Sequence, residues 1–350
     1  MGISKRNLLT EPMRQRKRTR YASLFSSLTL LFLILATGCT PVRPVVKIGL
    51  IAPFEGLYRD SGYGALAAMR QALDECTPPG VDVLPLALDD SGDPALAQRA
   101  AKKLLVDPAV HAVVGPLLLD AVPAVAMVMT QATEENTEEN TQENKEENER
   151  EGENSHPVPP TPVWLNPLLI APTGGFAELS ADAWLEAQLD YVAATTSPRR
   201  ILLVGLPAEW PLQVDATLPV VRMDDPAQAL DVVEEGDAVV WLGRPDVGAR
   251  WLTTLRAQHT SVDFWLVDQA GIDIFTALIS DQQAAHWLVW TDNEYNMWLQ
   301  SATSVTQPND FMRYRIYRAT CTALNDLFND PAAGSPAWAL QQHPIQRQEE

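Results

Sequence analysis

Cysteine and histidine are scarce in this chain of 350 residues, with three of the first and five of the second. His111, His156, His259, His286 and His343 stand singly, so no two have the spacing of a metal site, and neither metal nor cofactor is expected. The chain also lacks a GxSxG elbow, a GxxxxGKS or GxxxxGKT phosphate loop, a GxGxxG turn after a strand and an HExxH helix. These absences exclude the commonest hydrolase, nucleotide and metalloprotease signatures. The nearest approach to a nucleophile site is Asp60-Ser61-Gly62 with Asp89-Asp90-Ser91, and turn and cap chemistry accounts for both. No enzyme is expected. Positive charge is short as well: 26 Lys and Arg face 45 Asp and Glu, a formal charge of −19. Nucleic acid and anionic lipid surfaces would repel such a chain, which excludes nucleic acid as a partner.

What the chain does hold begins with an export pattern. Arg14, Arg16, Lys17, Arg18 and Arg20 precede the apolar stretch 24–35, and Ala36-Thr37-Gly38-Cys39 closes it. That order is a signal peptide over 1–38, since the apolar stretch is shorter than the roughly 20 residues of a membrane span. The segment resembles a bacterial lipoprotein signal, with Ala36 where leucine is usual, and implies that Cys39 is lipidated. An uncleaved N-terminal anchor is the alternative. Both readings hold the domain outside the cytoplasm on a membrane, through a tether at 39–44. Residues 1–38 hold seven basic side chains and one acidic, so their removal takes the formal charge from −19 to −25.

The mature length fits two lobes of ordinary domain size. Strand, helix, strand, helix, strand reads clearly from KIGLIAPFEG through GYGALAAMRQALDE, VDVLPLAL, ALAQRAAKKLLV and AVVGP. This alternation predicts an α/β fold with a parallel, doubly wound sheet. Ligands of such sheets sit at the carboxyl ends of the strands, here loops 53–61, 89–93 and 115–120. The run TEENTEENTQENKEENEREGEN has no apolar side chain, which predicts disorder, so 133–162 reads as an acidic surface insertion. A second lobe follows, with the near-continuous apolar strands RILLVG, LPVVRM, DAVVWLG and DFWLVD of a sheet covered on both faces. Trp184, Trp251 and Trp287 are expected in the core.

At KIGLIAPFEG, the Gly-rich helix start, DDSGDP and VVGP, in this order, the chain resembles the type I periplasmic-binding-protein superfamily. Within it the branched-chain amino-acid receptors of ABC importers are the nearest branch. The resemblance implies two Rossmann-like lobes with parallel sheets joined by a multi-strand hinge: lobe 1 over 45–178, lobe 2 over 179–287, a return to lobe 1 over 288–330 and a polar tail over 331–350. It implies a monomer that closes on a small polar solute, amino-acid-like, amide or related, and hands it to an ABC permease. A sensing or degenerate scaffold module without import is the alternative. Because the last helix returns to lobe 1 in that fold, Cys76 and Cys321 either pair as a disulfide or stay as two buried thiols.

The resemblance also nominates contacts. The loop after the first strand offers Glu55, Tyr58, Arg59 and Tyr63, with Tyr58 placed to stack on a ligand, Arg59 to pair with a carboxylate, and Asp60 or Ser61 to cap the helix. Leu119 stands where a serine is implied and Asp120 at the helix start, either a ligand contact or a plain N-cap. Thr173, Gly174 and Gly175 form the matching second loop, with glycine in place of a hydroxyl. Trp210 sits where an aromatic covers the ligand, and Asp268 where an acid receives an ammonium group, unless it is a structural cap or an interlobe ion pair. Arg244 is a further contact, or else simply neutralises Asp246 or Asp268.

Overall fold

The computed structural model describes residues 45–147, 162–168, 181–207, 210, 218–267, 269–279, 285–288, 290–292, 310–329 and 345–347. Alternating apolar runs and amphipathic helices set the chain order β1 (Val45–Ala52), α1 (Arg59–Cys76), β2 (Asp82–Asp89), α2 (Pro94–Leu105), β3 (Val110–Val114), α3 (Val122–Glu147) and β4 (Val163–Leu165). These strands form one sheet in the order β2-β1-β3-β4, every pairing parallel. Side chains alternate across it. Ile48, Leu50, Ala112 and Val114 face a core shared with α1, whereas Ile51 and Val113 face one shared with α2 and α3.

Lobe 2 repeats the plan with α4 (Ala181–Thr196), β5 (Ile201–Val204), β6 (Val220–Met223), α5 (Pro226–Val232), β7 (Ala238–Trp241), α6 (Pro245–Gln258), β8 (Asp263–Val267), α7 (Ile272–Leu278) and β9 (His286–Leu288). The sheet order is β6-β5-β7-β8-β9, again wholly parallel. Leu203, Val240 and Trp265 pack with Trp184 and Leu185 of α4 on one face; Leu202, Val239 and Phe264 pack with Trp251 and Leu252 of α6 on the other. Asp237, 1% exposed, receives Arg199 and Arg200 just before β7, at the amino-terminal end of the sheet. Beyond lobe 2 come β10 (Trp290–Asp292), α8 (Asp310–Asn329) and β11 (Ile345–Arg347), with β10 and β11 paired antiparallel. Helix α8 lies against α1, joined to it by the Cys76–Cys321 disulfide, with Cα atoms 5.3 Å apart.

Three expectations are corrected. The acidic repeat is helical through Glu147, because α3 does not stop at the end of its apolar stretch. Val125, Val128 and Met129 are buried beside α2 and supply the nucleus. Once that is made, each further residue adds a hydrogen bond, and Glu, Gln and Lys are good helix formers. Composition measures burial and misses this propagation. Trp287 is 40% exposed rather than core: β9 is an edge strand, and Leu288 takes its buried side. Helix α1 starts at Arg59, so neither Asp60 nor Ser61 caps it; Tyr58 holds the cap position without a side-chain bond.

Asp93 does cap α2, accepting from the backbone N–H groups of Ala95 and Leu96 at 2.8 and 3.0 Å, with Pro94 at the first helical position. Asp93→Ala should lower stability by about 1 kcal/mol in urea titration. An unchanged midpoint would mean that these two bonds carry no stability.

Candidate functional site

The loops at the carboxyl ends of the two sheets meet. From lobe 1 come Tyr58, after β1, and Leu117 to Leu119, after β3; from lobe 2 come Gly243 to Asp246, after β7, and Gln269 to Gly271, after β8. The backbone N–H of Ala270 donates to the Leu117 carbonyl at 3.0 Å. The Leu119 N–H donates to Gln269 Oε1 at 3.3 Å, and Gln269 Nε2 donates to the Gly243 carbonyl at 2.8 Å. Leu117, Leu118, Leu119 and Gln269 are buried.

Tyr58 is the centre of the seam. Its side chain is 1% exposed, and its hydroxyl donates to Asp246 Oδ1 across the two lobes. The Arg244 guanidinium lies over the ring, 5.2 Å from its centroid. Burial, with the Asp246 hydrogen bond, pushes the phenol well above its usual range. Burial also works to raise the Asp246 carboxyl, but the Tyr58 hydroxyl, Arg244 and Arg250 outweigh it and hold the acid below the ordinary carboxylate range. Asp246 lies in the first turn of α6, where the helix dipole favours an anion.

The DDSGDP turn supports the seam from lobe 1. Asp89 Oδ1 accepts from the backbone of Phe54, Glu55 and Ser91, which ties the β1–α1 loop to β2. Asp90, 2% exposed, accepts from the Gly92 N–H at 2.9 Å. Burial raises its carboxyl to about 7, with Asp89 and Asp120 adding to the rise. Asp120 lies in a 3-10 turn, Leu119–Ala121, with Oδ1 buried and unpartnered. Burial lifts this acid to about 6 against the pull of Arg244.

The nominated contacts separate into groups. Tyr58 and Arg244 come together at the seam, with Asp120 close enough to feel Arg244. Arg59 and Tyr63 do not join them: they line an open depression of about 550 Å³ with Phe54, Glu55, Gly56 and Asp60. There Arg59 pairs with Asp60 at 3.5 Å, and Tyr63 meets Phe54 edge-on at 5.5 Å. Trp210 is buried in the lobe 2 core, with its indole N–H unpartnered. Cys39, Thr173, Gly174, Gly175 and Asp268 lie outside the described residues. Sequence reasoning missed Gln269 and Gly271 as seam residues, and Asp246 beyond its pairing with Arg244. The available signal was their position, since all three follow strand ends of the second sheet. Among the described residues no cluster of metal-binding side chains occurs, and no helix is long and apolar enough to cross a membrane.

A family model described as periplasmic binding protein matches residues 45–221. Solved structures with the same fold include a leucine-binding protein, LivK, from Thermotoga maritima, at 16% identity, covering 83% of this chain and 84% of that one with a TM-score of 0.56. The branched-chain amino acid transporter substrate-binding protein LivJ from Streptococcus pneumoniae, in complex with isoleucine, is 14% identical over 83% and 86% of the two chains, with a TM-score of 0.52. An ABC transporter solute-binding protein from R. palustris, in complex with 4-hydroxybenzoate, is 13% identical over 83% of each chain, with a TM-score of 0.51. No curated protein matches the sequence.

Proposed function

The chain belongs to the periplasmic binding proteins, and from that premise we propose that it is an extracytoplasmic lipoprotein that traps a small polar solute between its lobes for an ABC importer. The observation that carries this reading is the meeting of strand-end loops from both parallel sheets at Tyr58 and Asp246. Lipidation at Cys39 keeps the domain on the outer face of the membrane, and the acidic mature surface holds it clear of anionic lipid. The domain acts as a monomer toward its permease. The solute is amino-acid-like, an amide or a related polar molecule, with Arg244, Asp120 and Trp210 as contacts from the described residues and Thr173, Gly174, Gly175 and Asp268 from the others.

Titration calorimetry of the mature chain against amino acids, small peptides, amides, polyamines and aromatic acids should yield at least one micromolar binder. Silence across the panel would sink the import reading. A scaffold or sensor that has lost import is the second reading, favoured by the apolar Leu117–Leu119 turn and by Tyr58, which together fill the seam with the chain's own side chains.

A further inference from the structure

The surroundings of Tyr58 specify a chemical group as closely as a ligand site would. At the oxygen, the Asp246 carboxylate accepts the hydroxyl proton, while the Asp246 backbone N–H approaches the same oxygen at 3.5 Å. Over the ring face stands the Arg244 guanidinium. At one edge Gly271 leaves room that no other residue would, and at the other Gly92 sits close with a narrower margin. A Cβ on Gly271 would meet Tyr58 Cε1 at 2.3 Å and Cδ1 at 2.6 Å, and one on Gly92 would meet Cδ2 at 3.3 Å. Leu118 closes on Gly92 from the apolar side, its Cδ1 3.0 Å from that same Cβ position. The carboxylate requires a donor at the ring's far end, the guanidinium requires an electron-rich face, and the paired glycines require a flat edge. An aliphatic chain would leave the Arg244 guanidinium without an electron-rich face.

We propose that the seam is a phenol seat, filled by the chain's own Tyr58, and that a free phenolic ring is the class of molecule that takes it when Tyr58 withdraws. This rests on the reading of the seam as the solute site and narrows it. Tyr58 then holds the lobes together without a solute, and any solute entering there displaces it from Asp246. The affinity of the protein for such a solute is lowered by the fraction of time the seat is filled from within.

p-Cresol reproduces the Tyr58 side chain, so it is the probe. Calorimetry with the mature Tyr58→Ala variant should show p-cresol binding at least tenfold tighter than to the wild type, with toluene, which lacks the hydroxyl, at least tenfold weaker than p-cresol. Should Tyr58→Ala lose its far-ultraviolet dichroism alone, millimolar p-cresol restores it. A folded Tyr58→Ala chain that takes p-cresol no better than the wild type overturns the seat, as does an unfolded one that p-cresol leaves unfolded. The metabolite panel, run on both chains, separates this failure from that of import. A solute bound by the wild type while p-cresol fails sinks the seat alone; p-cresol rescue with the panel silent on both chains sinks import alone.

Discussion

Cys321→Ser is expected to lower the stability of the mature chain by about 3–5 kcal/mol. The disulfide closes a loop across a sequence separation of 245 residues, and the chain-entropy cost it removes from the unfolded state grows with loop length. Helix α8 is otherwise attached to lobe 1 by packing and a few polar contacts: Met312, Ile316, Ala319 and Leu324 sit in the shared core, and Tyr317 donates to Glu75 at 2.7 Å. Freed of the disulfide, α8 comes back to α1 only by a long and costly closure. Guanidinium titration is the measurement, with a reducing agent as its control. Reductant should bring the wild type to the midpoint of Cys321→Ser and leave the variant unmoved. Equal midpoints under oxidising conditions would show that packing alone holds α8. Because α1 begins one residue after Tyr58, the variant should also loosen the seam, measurable as faster proteolysis in the β1–α1 loop.

The parts of this fold legible in the sequence are those set by neighbours along the chain. Ile48 to Ala52, Leu202 to Val204 and Val239 to Trp241 announce themselves as buried parallel strands because both faces are covered and the runs are continuously apolar. The seam was only half legible. That Tyr58 and Arg244 belong at strand ends follows from topology; that the tyrosine ring lies under that guanidinium and bonds Asp246, 188 residues on, follows from lobe closure. No period or spacing encodes it. Gly271 illustrates the gap: in the chain it is one glycine in a turn, and in the fold its missing Cβ admits a ring from the other lobe. The acidic repeat failed in the opposite direction, because a composition that cannot bury itself still extends a helix already begun by Val125 and Val128.

Stability should fall as pH rises from 5 to 8. Asp90 and Asp120 are raised by burial to about 7 and about 6, above their unfolded range near 4. A group raised on folding binds its proton more tightly in the native state, so its contribution is complete below the unfolded value and is lost as pH climbs through the folded one. The groups facing the pair do not cancel this: Asp89 and Asp120 raise Asp90, Asp93 raises Asp120, and the opposing backbone N–H groups at Gly92 and Ala121, with Arg244 at Asp120, are outweighed by burial. Asp89, Asp237 and Asp246 lie below their usual range, and the stability they carry is present above about pH 4 and lost below it. The optimum therefore falls near pH 5, and the loss from there to pH 8 should be roughly 2–4 kcal/mol. Asp90→Asn keeps an oxygen for the Gly92 N–H and removes the charge, so it should raise stability at pH 8 by about 2 kcal/mol and flatten more than half of the slope. Thermal midpoints of the two chains at pH 5, 6, 7 and 8 decide it. A wild type that gains stability steadily toward pH 8, or an Asp90→Asn chain with the wild-type slope, would mean that water or a cation reaches Asp90 and keeps it ionised.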